Sequence, residues 1–185
     1  DINAIYQKLS PQSINIITDN PYLKDIVNVI NLNYFNEDNL ARYLKYDKDV
    51  TTEERVTYVN ALLDYEYYTH VIDIEDPSDT SVIVNKYHKL ASTYVPNDLE
   101  PINPKYNQGW NNKMRKVAKE AFEKMSEAAL KDDITIYSGS AYRSYSYQQT
   151  LYNNYVYTNG FDKAETFSAR AGYSEHQTGL ATDIR

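Results

Sequence analysis

One long apolar stripe constrains this chain more than any other feature. Trp110, Met114, Val117, Ala118, Ala121, Met125, Ala128 and Ala129 recur at helical spacing. The spacing predicts one long amphipathic helix that ends near Lys131 and lays this face on a core. Lys131-Asp132-Asp133 then makes a turn, and Ile134 to Tyr137 has strand character. Upstream, Val82-Ile83-Val84 reads as a short strand and Tyr94-Val95-Pro96 as an extended stretch, while Pro96, Pro101 and Pro104 keep the chain non-helical until about Asn107. Downstream, Ser138 opens a loop, and a helix follows with Leu151, Tyr155 and Val156 inward. Gly160 sits where a left-handed C-terminal cap belongs.

The first 80 residues read as short helices on polar loops. Tyr22, Leu23, Ile26, Val27 and Ile30 follow the break at Asn20-Pro21 at spacings of three and four. Asn36 is placed to cap a helix carrying Leu40, Tyr43 and Leu44. Thr51 and Glu54 form a capping box for a helix through Val56, Val59, Leu62 and Leu63. The turn-rich segment from Ile74 to Ser81 marks a boundary, giving a helical lobe over residues 1–81 and a second domain over 82–185.

Composition removes several classes of function. Nineteen basic against 26 acidic side chains leave a net charge of −7 with no basic run, so nucleic acid and anionic membranes are unlike partners. No apolar run approaches the roughly 18 residues that cross a bilayer. Cysteine is absent and tyrosine occurs 20 times. Any metal must then be held by histidine and carboxylate, and the many tyrosines suit a surface that grips sugars or peptides. The lack of cysteine also fits a chain working outside a reducing cytosol. Nothing in the sequence signals an oligomeric state.

Three histidines are present, His70, His88 and His176. The first two lack a ligand partner nearby and read as surface or packing residues. His176 precedes Asp183 in Ser174-Glu175-His176-Gln177-Thr178-Gly179-Leu180-Ala181-Thr182-Asp183. A loop histidine followed by a strand carboxylate can bring one nitrogen and one oxygen onto a Zn2+ ion at about 2.0–2.2 Å. The bland alternative is a hydrogen-bonded His–Asp pair that holds a turn. A second constellation, Tyr142-Arg143-Ser144 with Gln148, follows the predicted strand. An arginine there can offer its fork to a carboxylate or to a carbonyl under attack, or can sit in a structural ion pair. Gln148 lies one helical turn beyond Ser144.

Together these segments resemble the VanY-type D-alanyl-D-alanine carboxypeptidase family. The likeness runs through VNKYHKL (84–90), YVPNDL (94–99), YRSYSYQ (142–148) and SARAGYSEHQTGLATDI (168–184), within about Val82 to Arg185. It implies an α+β fold related to lysostaphin-like and hedgehog-like proteins, with a small antiparallel-sheet core after the helical lobe. It also implies a zinc carboxypeptidase that removes the C-terminal D-alanine from peptidoglycan stem peptides, facing the cell wall outside the cytoplasm. Carried over by position, His176 and Asp183 are metal ligands and Arg143 is catalytic. Tyr142, Ser144, Gln148 and Ser174 line the substrate cleft. D,D- and L,D-specificity stay open.

The family's general base and further histidine ligand come from a Glu-x-His-like segment that the sequence lacks. Leu180 to Arg185 reads as a strand barely begun. A truncated, inactive chain is therefore expected, with a longer form active. The alternative is a non-catalytic module that binds stem peptides. Ala141 stands where the family often has glycine before the tyrosine.

Overall fold

The computed structural model describes residues 7–20, 29, 30, 32–46, 48–110 and 112–185. It contains two compact units, Asp1–His70 and Val71–Arg185. The division falls before the Ile74–Ser81 segment because Ile72 and Asp73 pair with His88 and Lys89, which ties this stretch to the second unit.

In the first unit, α1 (Pro11–Asp19) begins at Ser10, whose hydroxyl accepts from Ser13 N–H. Asn36 caps a 3-10 turn, Glu37–Asn39, which leads into α2 (Leu40–Lys45). The Thr51–Glu54 capping box starts α3 (Thr52–Asn60) as the sequence requires. That helix stops at Asn60, short of Leu62 and Leu63, because Leu62 takes a positive φ of 63°. The helix expected over Tyr22 to Ile30 lies largely outside the described residues.

The unit's core gathers Ile17, Leu40, Tyr43, Val56 and Val59. Tyr43 is fully buried and donates its hydroxyl proton to Asn60 Oδ1 at 2.7 Å. Beside it Arg42 forks onto Asp64, with Nε to Oδ2 at 2.9 Å, and Nη2 also reaches the Val59 carbonyl at 2.7 Å.

The second unit is α+β. Among the described residues its strands form three separate pairs, two of them antiparallel. β1 (Ile72–Asp73) runs parallel to β2 (His88–Lys89). β3 (Leu99–Pro101) is antiparallel to β4 (Lys113–Arg115), and β5 (Ser138–Ser140) to β6 (Asp183–Ile184). The expected strands are displaced. Val82–Val84 is irregular, with Val84 buried and Ile83 exposed. The strand after the long helix begins at Ser138, since its partner is the tail segment and Tyr137 already exchanges both hydrogen bonds with Arg185 at 2.9 Å.

The long helix α4 (Lys116–Lys131) starts later than the stripe predicts and turns another face inward. Met114 belongs to β4, Trp110 is almost fully exposed, and Val117 and Met125 are exposed too. Phe122 and Ser126 are buried instead, one turn apart. Phe122 packs with Ile102, Tyr106, Met114 and Ala141, and Ala118 borders them. The largest apolar side chain of the helix, rather than its alanines, decides which face is inside.

α5 (Tyr145–Asn159) buries Gln148 and Tyr152, with Leu151, Tyr155 and Val156 only half-buried. Gly160 has a positive φ of 86° but a ψ of 158°, an extended conformation open essentially to glycine and not the left-handed cap expected. It turns the chain straight into α6 (Phe161–Phe167).

Replacing Asp64 with alanine leaves the half-buried Arg42 guanidinium without its carboxylate. We expect a loss of about 2 kcal/mol in the first unit's urea transition, set by a charged hydrogen bond in partial shelter. Asp64→Asn should lose less.

Candidate active site

Three backbone segments converge around one arginine. β5 delivers Ala141, Tyr142 and Arg143 from its end, and Ser144 caps α5, its hydroxyl accepting from Tyr147 N–H at 3.2 Å. β6 lies against β5 with Ser140 opposite Asp183. A 3-10 turn, Glu175–Thr178, brings in His176, and Arg143 N–H donates to the His176 carbonyl at 3.1 Å.

That turn closes at Gly179, whose φ is 71° and whose carbonyl accepts from Arg115 N–H at 2.8 Å. A Cβ at this position would lie 2.9 Å from Leu99 Cδ2 and 3.0 Å from Arg115 Cγ.

The guanidinium uses every face. Arg143 Nε donates to Ser140 Oγ at 3.0 Å and Nη1 to Gln148 Oε1 at 3.3 Å. Nη2 donates to Asp183 Oδ2 at 2.6 Å and meets His176 Nε2 at 2.9 Å. Gln148 is buried and fixed in turn, its Nε2 donating to the Ala169 carbonyl at 2.8 Å.

These partners settle the histidine's tautomer. A guanidinium offers only donors, so His176 Nε2 must accept, while Nδ1, 2.8 Å from the Ala141 carbonyl, must donate. Burial pushes the His176 pKa down; the Ala141 carbonyl raises it, Arg143 lowers it and Asp183 raises it. The ring is thus held neutral, its Nε2 lone pair turned to Arg143 Nη2 with Asp183 beside it.

This is the form in which histidine binds a metal, the other nitrogen being anchored to a carbonyl. His176 Nε2 and Asp183 Oδ1 stand 3.5 Å apart. Two ligands about 2.1 Å from a tetrahedral ion would be roughly 3.4 Å apart. The donor types, tautomer and spacing therefore suit a zinc ion. Two features set limits: Arg143 Nη2 faces the same lone pairs, and no group of three His, Cys, Asp or Glu side chains that could hold a metal is found among the described residues.

His176, Asp183, Arg143, Gln148 and Ser174 line one cavity of about 560 Å3. Tyr142 and Ser144 do not reach it. They line a second cavity of about 790 Å3, which Arg143 and Asp183 also border. Ser144 is engaged as a helix cap, and burial raises the Tyr142 pKa. His70 stacks on Tyr65 at 3.7 Å and His88 bonds Asn85 through Nδ1 at 3.0 Å, as packing residues would.

Sequence reasoning gave no role to Asn85 and Lys86, which line the first cavity. They belong to the quoted VNKYHKL stretch, but the fold alone brings that segment beside α6. Lys86 Nζ donates to the Glu165 carbonyl there at 2.8 Å.

Comparison with known proteins follows the same segments. Residues 111–185 match the family described as D-alanyl-D-alanine carboxypeptidase, VanY, so the resemblance read from the sequence holds over that stretch. YodJ of Bacillus subtilis (strain 168), a protein named for an inferred carboxypeptidase activity, is 37% identical over 121 residues, covering 60% of this chain and 42% of that protein. The solved LD-carboxypeptidase LdcB, described with its peptidoglycan recognition, is similar at 34% identity and a TM-score of 0.57, over 63% of this chain and 56% of its own. The chain thus spans about half the length of these relatives.

Gly179→Ala should cost about 1–3 kcal/mol, from left-handed backbone strain and the contact with Leu99. The local sign would be loss of the His176 Nδ1–H bond to Ala141, read as a changed imidazole nitrogen shift by NMR. An unchanged shift would mean that the glycine does not hold the histidine.

Proposed function

We propose that the second unit is a zinc-dependent carboxypeptidase that removes the C-terminal D-alanine from peptidoglycan stem peptides outside the cytoplasm. The observation that carries this reading is a neutral histidine and a carboxylate at metal-ligand spacing beside a guanidinium, all on one cavity wall. The likeness to a carboxypeptidase family over residues 111–185 supports it. No helix among the described residues is long and apolar enough to cross a membrane.

His176 Nε2 and Asp183 Oδ1 are the atoms that would hold the metal. Zinc, when bound, supplies a water with a pKa near 7 and polarises the peptide carbonyl. Arg143 gives up its contacts with those two atoms when they take a cation. Its Nε and Nη1 bonds to Ser140 and Gln148 keep the charge in the cavity, where it stabilises an oxygen that turns anionic on attack. Gln148 orients Arg143, Ser174 borders the bound peptide, and Tyr142 and Ser144 meet any part of it that extends into the second cavity.

Two protein donors hold zinc weakly compared with three, and hydrolysis further requires a base within one hydrogen bond or one water of the nucleophile. With these two donors alone, turnover should therefore be slow. The absence of a third donor beside His176 and Asp183 among the described residues also favours a second reading, a module that binds stem peptides without cutting them.

Zinc titration by calorimetry should give weak binding that His176→Ala or Asp183→Ala abolishes. Binding unaffected by both substitutions would remove the metal assignment. Mass spectrometry of pentapeptide and tetrapeptide stems incubated with the chain and zinc separates the two functions. D-alanine release that Arg143→Met stops supports the peptidase and reports D,D- or L,D-specificity. Saturable peptide binding without release supports the module. No binding defeats both.

A further inference from the structure

We infer that Lys86 is the specificity residue that recognises the free C-terminal carboxylate of the bound peptide. This deepens the proposed function and rests on it.

The argument is one of charge. Two cations and two anions line the 560 Å3 cavity: Lys86 and Arg143, Asp183 and Glu175. Arg143, paired with Asp183 at 2.6 Å, is assigned above to the oxygen that turns anionic on attack. A carboxypeptidase substrate carries a carboxylate within one residue of the bond to be cut. Taking that carboxylate out of water is costly unless a cation or several donors replace its hydration. Glu175 repels it. Lys86 is the other cation of this lining.

The local structure fixes Lys86 on the cavity wall. Asn85 Oδ1 accepts from Tyr87 N–H at 2.8 Å and His88 N–H at 3.0 Å, which sets a tight turn across residues 85–88. The turn presents Asn85 and Lys86 side by side on the lining. The Lys86 stem is half-buried, and its ammonium is steered by the Glu165 carbonyl at 2.8 Å.

Glu165 is itself locked. Its Oε1 accepts from Arg170 Nε at 2.9 Å and from the Tyr152 hydroxyl. The ammonium is thus positioned by α6 and, through Tyr152, by α5, the helix that also holds Gln148. An ammonium presents its donors without the planar demand of a guanidinium, which suits a carboxylate at a flexible chain end. The Asn85 amide NH2, the end that the turn does not use, is the second donor available beside it.

The test uses a stem pentapeptide ending in D-Ala-D-Ala and the same peptide with a C-terminal carboxamide. Both are titrated against the 185-residue chain in the presence of EDTA, so that no turnover intervenes. The wild-type chain should prefer the acid about tenfold or more. Lys86→Met should lower acid affinity about tenfold, leave amide affinity unchanged and so erase the preference, whereas Lys86→Arg should restore most of it. Circular dichroism melting of each variant separates a binding loss from unfolding, and the unchanged amide affinity does so again.

A preference that survives Lys86→Met overturns the assignment and moves carboxylate recognition to Arg143. Equal binding of acid and amide by the wild type overturns it as well. If the wild type binds neither peptide, the proposed function fails and the role of Lys86 fails with it.

Discussion

The second unit is organised around one unusual demand: a guanidinium is aimed at the lone pair of a neutral histidine. Arg143 has no acceptor atom, so its approach to His176 Nε2 at 2.9 Å is tolerable only while that nitrogen stays unprotonated. The Ala141 carbonyl enforces this by taking the Nδ1 proton, and burial opposes a second positive charge. Asp183 then neutralises the arginine from the other side. Remove any one of these and the others lose their reason to be where they are.

Backbone geometry meets this demand through a directed chain of small polar groups. Asn112 Nδ2 donates to Ser138 Oγ at 3.1 Å, and that hydroxyl donates to Thr182 Oγ1 at 2.8 Å. The Thr182 hydroxyl donates to the Ser140 carbonyl at 3.1 Å. Asn112 Oδ1 accepts from Ala141 N–H at 3.2 Å. One buried asparagine thereby anchors both the strand that carries Arg143 and, through two hydroxyls, the strand that carries Asp183. Such short strands could not hold their register by ladder bonds alone. The side-chain relay supplies what strand length does not.

The sequence made the site more legible than the fold, for a physical reason. The site is written in two local segments, residues 142–148 and 174–183, whose spacing survives whatever surrounds them. Capping signals were equally local, and Asn36, Thr51 and Glu54 behave as their side-chain chemistry dictates. The strands were misplaced because their partners are distant. Ser138–Ser140 looks like a loop until residues 183–184 pair with it. The inward face of α4 was misread because the alanines and Met125 fit the same period as Phe122, and only the volume available beside Ile102 and Met114 chooses between them. Lys86 carried no signal, because its place on the cavity depends on a carbonyl 79 residues away.

Charge accounting links the candidate metal pair to the rest of the cavity. Without an ion, Arg143 and Asp183 cancel, and the donor pair is electrically quiet. Were His176 and Asp183 to hold a divalent cation, as proposed, two positive charges would be in excess. The guanidinium, displaced from the two lone pairs but still tied to Ser140 and Gln148, would stay within the same low-dielectric space. Like charges at that range are costly unless an anion lies between them. An oxygen that gains negative charge as a carbonyl is attacked is such an anion, and it gains that charge only in the transition state. Under the proposed function, the stress created by loading the site would thus be relieved most at the top of the barrier, which is what preorganised catalysis requires. An arginine that had merely paired with Asp183, free of the histidine, would have no reason to move and no stress to relieve.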